Sequence, residues 1–339
     1  MMSPILMKPI LICTGDPAGI GPEITVKAVM ALRGSTQAAL IPVCNRAILT
    51  RAAALSGFSI PFTPVTSPYE LQNLRNDTAP FIDVESVPEQ IPAPAEISST
   101  AGLYTLATIK KAVQAALSWG TAIVTAPIHK VSVSLAGWSG GGHTELLAEL
   151  AGGVDVDTVF CLDDLRVFFL SRHVSLREAL AKVTKDRLVA VIERVAHNMA
   201  RLGVSRPRIG IPGLNPHCGD GGLFGTEERD EIVPAVEEAR KKGIDAIGPV
   251  GADSIYHLGF EGNYDAIISL YHDQGHIALK TRDFYGTVTM TLGLPFLRTS
   301  VDHGTAHDIA WQGRASEKSL IKAIELAGKL LPVFEARQQ

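Results

Sequence analysis

The stretch Asp265–Lys280, DAIISLYHDQGHIALK, passes from a short apolar, partly β-branched run into a cluster of imidazole and charge. Its first six residues (265–270) have the length of a strand and are bounded by polar residues, so they read as a buried β-strand. His272 then stands at the carboxyl end of that strand. In open α/β sheets this edge is where ligands bind, because the loops leaving parallel strands converge there. The stretch therefore suggests both a class of fold and the edge where chemistry belongs.

The same pattern recurs on either side. Pro9–Cys13, Thr121–Ala126, Thr158–Leu162, Arg166–Leu170 and Arg208–Ile211 read as short buried strands, and Phe81–Val84 as a strand-like piece. Between them lie helical stripes: Leu106, Ile109, Val113 and Leu117 within about Leu103–Trp119, then Leu188, Ile192, Val195, Met199 and Leu202 ending at Gly203. Thr226 caps a further helix that stops at Gly243, and Leu320, Ile324, Ala327 and Leu331 mark the closing one, Ser316–Leu331. Strands alternating with helices predict an α/β chain with a mainly parallel sheet and right-handed crossovers.

Composition narrows the partners. The 339 residues carry a net charge of only −4, which argues against nucleic acid, since duplex binding wants a basic face. Nowhere do 18 uninterrupted apolar residues occur, and Lys8 followed by Gly15-Asp16-Pro17 leaves no usable signal peptide, so no membrane association is expected. Cys13, Cys44, Cys161 and Cys218 are far apart and form no CxxC, which fits a reduced, cytoplasmic protein. Residues 60–100, rich in Pro, Ser and Thr, show no readable function.

His173, His217 and His272 share one expected position, each at or just beyond the carboxyl end of a short apolar strand. Three neutral imidazoles on one edge suit zinc or a similar divalent ion, against the plainer reading of structural hydrogen-bonders. His143 and Thr144, after a run of glycines, offer an imidazole, a hydroxyl and backbone N–H groups to an anion; equally, Thr144 could simply cap the helix that follows. Arg298, placed after the apolar run 292–297 where an idle charge is costly, and Lys280 suit a substrate with a phosphate and a carboxylate. Asp253 and Asp273 are candidates to orient ligands or move protons, or plain turn residues. TGDPAGIGPE (Thr14–Glu23) has the order GxxxGxG rather than GxGxxG, with Pro17 inside it, so it reads as a tight strand-to-helix turn and not as a dinucleotide fingerprint.

Taken in order, GDPAGIGPE, TAPIHK, GHTE, GLNPH, YHDQGH and LPFLRTSVDHGTA closely resemble the 4-hydroxythreonine-4-phosphate dehydrogenase family of vitamin B6 (pyridoxine) synthesis over almost the whole chain. The resemblance implies an isocitrate/isopropylmalate dehydrogenase-like fold of two α/β domains: residues 1–128 with 285–339 on the cofactor side, and 129–284 for metal, substrate and dimerisation, with an interdomain cleft. It implies a homodimer, NAD (or NADP), and a divalent metal, zinc before magnesium, manganese or cobalt. By that likeness His173, His217 and His272 become metal ligands, one of them from the partner subunit. His143, Thr144, Lys280, Thr289 and Arg298 become substrate contacts, Lys280, Asp273 and Asp253 catalytic groups, and Asp302, His303, Gly304 and Thr305 the NAD-binding loop. The implied reaction is oxidation of the secondary hydroxyl of a 4-phosphorylated hydroxy acid, followed by decarboxylation. Thr289 stands where biosynthetic members usually carry Asn, which shortens or removes one polar substrate contact; His276 stands where they commonly carry Leu, and DHGTAHDIAW (Asp302–Trp311) is closer to a branch acting on D-threonate or D-erythronate 4-phosphate. The alternatives are a terephthalate cis-dihydrodiol dehydrogenase and a non-catalytic metal- or sugar-acid-binding protein.

Overall fold

The computed structural model describes residues 9–36, 38–75, 77–85 and 87–336; the reading of a missing signal peptide rests partly on residues 1–8, outside that range. In chain order the strands are β1 (Ile10–Cys13), β2 (Leu40–Cys44), β3 (Phe62–Pro64), β4 (Ala79–Asp83), β5 (Ala122–Thr125), β6 (Asp157–Leu162), β7 (Leu165–Phe169), β8 (Ile209–Pro212), β9 (Ala246–Val250), β10 (Ala266–Ser269), β11 (Val288–Leu292) and β12 (Arg298–Val301). Contacts divide the chain into two units, Met1–Asp157 with Val288–Pro332, and Thr158–Thr287 with Val333–Gln339.

In the first unit the strands lie in the order β3-β4-β2-β1-β5-β12-β11. All neighbours are parallel except the closing hairpin β11–β12. The parallel strands are covered by apolar side chains, as a sheet flanked by helices requires: Leu11, Ile41 and Ile123 are fully buried and share a core with Ile109, Val113 and Leu146. Each such side chain contributes roughly 1.5–3 kcal/mol by leaving water. In the helix Ser99–Trp119 the outcome differs at one position: Leu117 is 49% exposed, and the small Ala112 and Ala116 carry the buried stripe instead.

Residues 129–157, assigned to the second domain from sequence, cluster with this first unit. Leu146 and Leu147 enter its core, and a Cβ on Gly102 would stand 1.9 Å from the carbonyl oxygen of Ser132, so glycine lets the helix Lys130–Leu135 approach this closely.

The second unit orders its strands β6-β7-β10-β8-β9, parallel except for the hairpin β6–β7. Its helix Lys185–Arg201 buries the expected Leu188, Ile192, Val195 and Met199, while His197 on the same helix is exposed. The Ser175 hydroxyl accepts the Glu178 N–H at 3.2 Å, but the helix it starts is short, Leu176–Ala181, and a separate helix begins at Lys185. No helix among the described residues is long and apolar enough to cross a membrane.

Candidate active site

In the second unit β7, β10 and β8 are parallel neighbours, so the loops leaving their carboxyl ends emerge side by side. These loops carry His173, His272 and His217 respectively. The first two are held closely: the Ser171 hydroxyl donates to the Leu270 carbonyl at 2.9 Å, Leu170 N–H donates to Ser269 at 2.8 Å, and the two imidazole centroids lie 6.1 Å apart. Two imidazoles sharing one ion through bonds of about 2.1 Å set their centroids roughly 5–6 Å apart, and this pair stands just beyond that separation. His217 has no ring contact with either, and among the described residues no group of three His, Cys, Asp or Glu side chains is arranged to hold an ion. His173 and His217 are exposed and His272 half-buried, so all three are open to a ligand.

The segment HDQGH shows why these residues stand together. His272 opens the helix His272–Arg282, and its Nδ1 lies 2.6 Å from Asp273 Oδ1. A carboxylate there fixes the proton on Nδ1 and leaves Nε2 for a metal. Gln274 accepts the Leu270 N–H at 2.7 Å and donates to the Gly213 carbonyl at 3.0 Å, tying the end of β10 to the end of β8. At Gly275 an added Cβ would meet Ser269 Oγ at 2.4 Å and Phe169 Cζ at 2.8 Å, so the helix start can sit over the strands only without a side chain. His276, one turn on, stacks on His272 with centroids 3.9 Å apart. Lys280 follows on the same face, its Nζ 5.6 Å from the Phe284 ring centroid.

His217 belongs to a run, His217 to Gly221, with every φ positive, between 44° and 80°. For its non-glycine members this backbone costs on the order of 1–2 kcal/mol each, and Glu228 offsets part of it. The buried Glu228 carboxylate accepts Leu214 N–H and Asn215 N–H, both at 2.7 Å, and Asn215 Nδ2 at 2.9 Å. In the sequence Glu228 reads only as an acidic residue of a helix's first turn. Asp253 lies exposed in the turn after β9 and accepts from Ser254 Oγ at 3.1 Å.

The first unit holds a separate cluster. Arg298, 4% exposed, begins β12 and donates to Thr125 Oγ1 from Nη2 at 2.7 Å and Nε at 3.2 Å, and to Thr291 Oγ1 from Nη1 at 2.8 Å. Among the described residues no carboxylate forms an ion pair with it, and burial pulls its pKa down to about 10. His143 lies near enough for its own pKa to be lowered, mainly by burial and then by the Arg298 charge. The residue as a whole is half-exposed, yet its Nε2 is shut off from solvent and has no hydrogen-bond partner. Buried polar atoms seldom remain unpaired, and here the unpaired one feels a buried cation whose charge the Glu145 carboxylate offsets only in part. Thr144 does not cap the helix: His143 is its first residue, Gly142 is the cap, and the Gly142 N–H donates to Glu145 Oε2 at 2.9 Å. Thr289 lies buried in β11, its hydroxyl 3.4 Å from the Ser300 carbonyl.

Beyond β12, the loop Asp302–Thr305 rests against the glycine turn after β1. Ile20 N–H donates to the Thr305 carbonyl at 3.0 Å, and a Cβ on Gly19 would meet Thr305 Cβ at 2.9 Å. The turn is as tight as the sequence suggests, since a Cβ on Gly15 would stand 2.1 Å from the Pro127 carbonyl oxygen. His303 Nδ1 donates to the Gly304 carbonyl at 3.0 Å, which leaves Nε2 of the neutral ring to accept, and Gly304 faces open space. One group here escaped the sequence reading: the fully buried Asp16 accepts from His307 Nε2 at 3.2 Å, and His307 stacks on His129 at 4.8 Å. Burial raises the Asp16 pKa, and the Ala18 N–H and His307 partly offset it.

Comparison with known proteins agrees over nearly the whole length. A relative from Fusobacterium nucleatum, named "Putative D-threonate 4-phosphate dehydrogenase", is 42% identical over 327 residues, 96% of this chain and 98% of its own. A solved 4-hydroxythreonine-4-phosphate dehydrogenase from Klebsiella pneumoniae is 40% identical, with a TM-score of 0.84 over 96% of this chain and 99% of its own. A terephthalate 1,2-cis-dihydrodiol dehydrogenase from Burkholderia xenovorans is more distant, 29% identical with a TM-score of 0.62 over 95% of this chain and 97% of its own. The family described as "Pyridoxal phosphate biosynthetic protein PdxA" matches residues 36–327. With the histidine edge and the buried arginine both within that span, the chain belongs to the PdxA family.

Proposed function

We propose that the chain is a metal- and NAD-dependent dehydrogenase that oxidises the secondary hydroxyl of a 4-phosphorylated four-carbon hydroxy acid and decarboxylates the resulting β-keto acid. D-Threonate 4-phosphate is the first candidate, as named for the relative from Fusobacterium nucleatum, and 4-hydroxythreonine 4-phosphate the second. The observation that carries the reading is Arg298: a buried guanidinium held by hydroxyls alone, beside the unpartnered Nε2 of His143, is a receptor for an anionic group.

In this reading His173 and His272, with His217 or its equivalent from a partner subunit, hold the ion. A divalent ion there supplies Lewis-acid stabilisation of charge on the substrate oxygen, and a nicotinamide accepts the hydride. The protein's own groups do the remainder. Arg298, His143 and Thr144 hold the phosphate or carboxylate, with Thr289 as a further contact. Asp273 keeps the His272 proton on Nδ1. The hydroxyl loses its proton, with Asp253 available to pass it on, as the C–H bond yields its hydride. Loss of CO₂ leaves an enolate, to which Lys280 returns a proton at carbon. Asp302 and His303 Nε2 offer acceptors to ribose hydroxyls, and an acidic residue in that place favours NAD over NADP. Leu176, Leu180, Leu223, Phe224, Ile277 and Phe284, exposed on the second unit, support a homodimer.

The test is NADH formation by zinc-loaded protein offered D-threonate 4-phosphate, D-erythronate 4-phosphate, 4-hydroxythreonine 4-phosphate and the terephthalate dihydrodiol in parallel. Turnover of a phosphorylated acid with loss of CO₂ is expected. Turnover of the dihydrodiol alone, a dicarboxylate without phosphate, would refute a phosphorylated acid as the substrate, and no turnover with any of them despite bound metal would favour a binding protein.

A further inference from the structure

His276 is 8% exposed, one turn beyond His272 on the same helix. The two rings lie face to face, centroids 3.9 Å apart and planes within 9°. The His276 ring also packs against Phe160 at 4.2 Å and Phe169 at 4.8 Å. Its Nδ1 lies 2.9 Å from the His272 carbonyl oxygen, and because a carbonyl can only accept, Nδ1 carries the hydrogen.

The i, i+4 spacing of two histidines suits a pair of metal ligands, but the stacking excludes it. Lone pairs on ring nitrogens lie in the ring plane, so two parallel imidazoles aim alongside one another and do not converge on one ion. We propose instead that His276 is a positioning residue for the ion site, acting through His272. This rests on the metal reading above. Two contacts restrict the His272 ring: the stack presses one face, and the Nδ1 contact with Asp273 sets rotation within the plane. A ligand so held loses little side-chain freedom when it binds. The flat face is the working part of His276. Leucine would fill much of the volume without offering a face, whereas phenylalanine keeps the face while giving up both ring nitrogens.

The experiment is zinc affinity of the full chain by competition with a chelator, for the parent, H276L, H276F and H272A, alongside long-range ¹H–¹⁵N NMR of His272 in the metal-free protein. H276L is expected to bind zinc about 10-fold more weakly or worse, the range found when outer-shell partners of metal ligands are removed, and to broaden or shift the His272 nitrogens. H276F is expected to stay near the parent in both readouts. Parent-like affinity and spectra for H276L, or an H276F as weak as H276L, would overturn the positioning role. Unchanged zinc affinity in H272A would instead overturn the ion site itself, and this proposal with it.

Discussion

Thr125 Oγ1 receives two hydrogen bonds from one Arg298 guanidinium, at 2.7 and 3.2 Å, and passes its own hydrogen to Ser300 Oγ at 2.9 Å. The hydroxyls orient the cation without neutralising it. A charge buried in this way is costly, and the Glu145 carboxylate, which acts on it without forming an ion pair, offsets only part of that cost.

Arg298→Met is therefore expected to raise KM for the phosphorylated substrate, or abolish turnover, with kcat/KM lower by about 100-fold or more. The melting temperature should hold or rise, because a costly buried cation is exchanged for an apolar chain. Steady-state kinetics and a thermal melt on the same preparation check both. A lowered melting temperature with unchanged KM would reduce Arg298 to a structural role.

His143 has a folded-state pKa well below its ordinary 6.5. Between those two values the unfolded chain holds a proton that the folded chain refuses, so stability is full above about pH 6.5 and declines as pH falls below it. His143→Gln should flatten that acid-side decline. Urea unfolding at a series of pH values from 7.5 down to about 5 gives the comparison, and equal slopes for both proteins would show that another group dominates.

Gly275→Ala should destabilise the chain by about 1–3 kcal/mol, as overpacking does. Ser269 Oγ, one of the atoms the new methyl meets, is fixed by a 2.7 Å hydrogen bond to Tyr256 and cannot easily give way. Zinc affinity should fall as well, since the displaced helix start carries His272. Chemical denaturation and a zinc titration read the two effects, and a variant as stable as the parent would show that the packing is looser than the contacts imply.

Glu228→Ala strands the Leu214 and Asn215 amide donors that fix the loop before His217. A loss of about 2–4 kcal/mol is expected, since hydrogen bonds to charged groups are each worth about 1.5–3 kcal/mol. Amide exchange at residues 214–221 should quicken more than elsewhere; uniform quickening would indicate general loosening instead.

How much of this was legible in the sequence depended on the range of the forces involved. The alternation of strand and helix, and three histidines at strand ends, follow from local apolar period and from topology, and both are present as read. β2 with the Asn45-capped helix Arg46–Leu55, and the hairpin β11–β12, escaped notice. Helix Arg46–Leu55 has a weak apolar stripe, and the segment 292–297 hides a turn at Gly293, whose φ is 98°. Gly142 has no side chain to advertise a cap, so Thr144 was open to that reading. Glu228, Gln274 and the Asp16–His307 pair act on partners 13 to 291 residues away or through a single backbone group, and no spacing rule finds them. His276 could have been found, because two histidines at i, i+4 share a helix face.

β12 lies between β5 and β11, although about 175 residues of chain separate Ser300 from its neighbour Thr125. During synthesis residues 158–287 of the second unit emerge as one continuous segment before β12, the strand that joins β5 to β11 in the first unit, is made. Until residue 301 leaves the ribosome, β5 presents an unpaired edge and Thr125 has no arginine to bond. The buried Arg298 cluster is thus among the last features to exist, and a chain cut short before β12 keeps His173, His217 and His272 but leaves an open strand edge prone to aggregation.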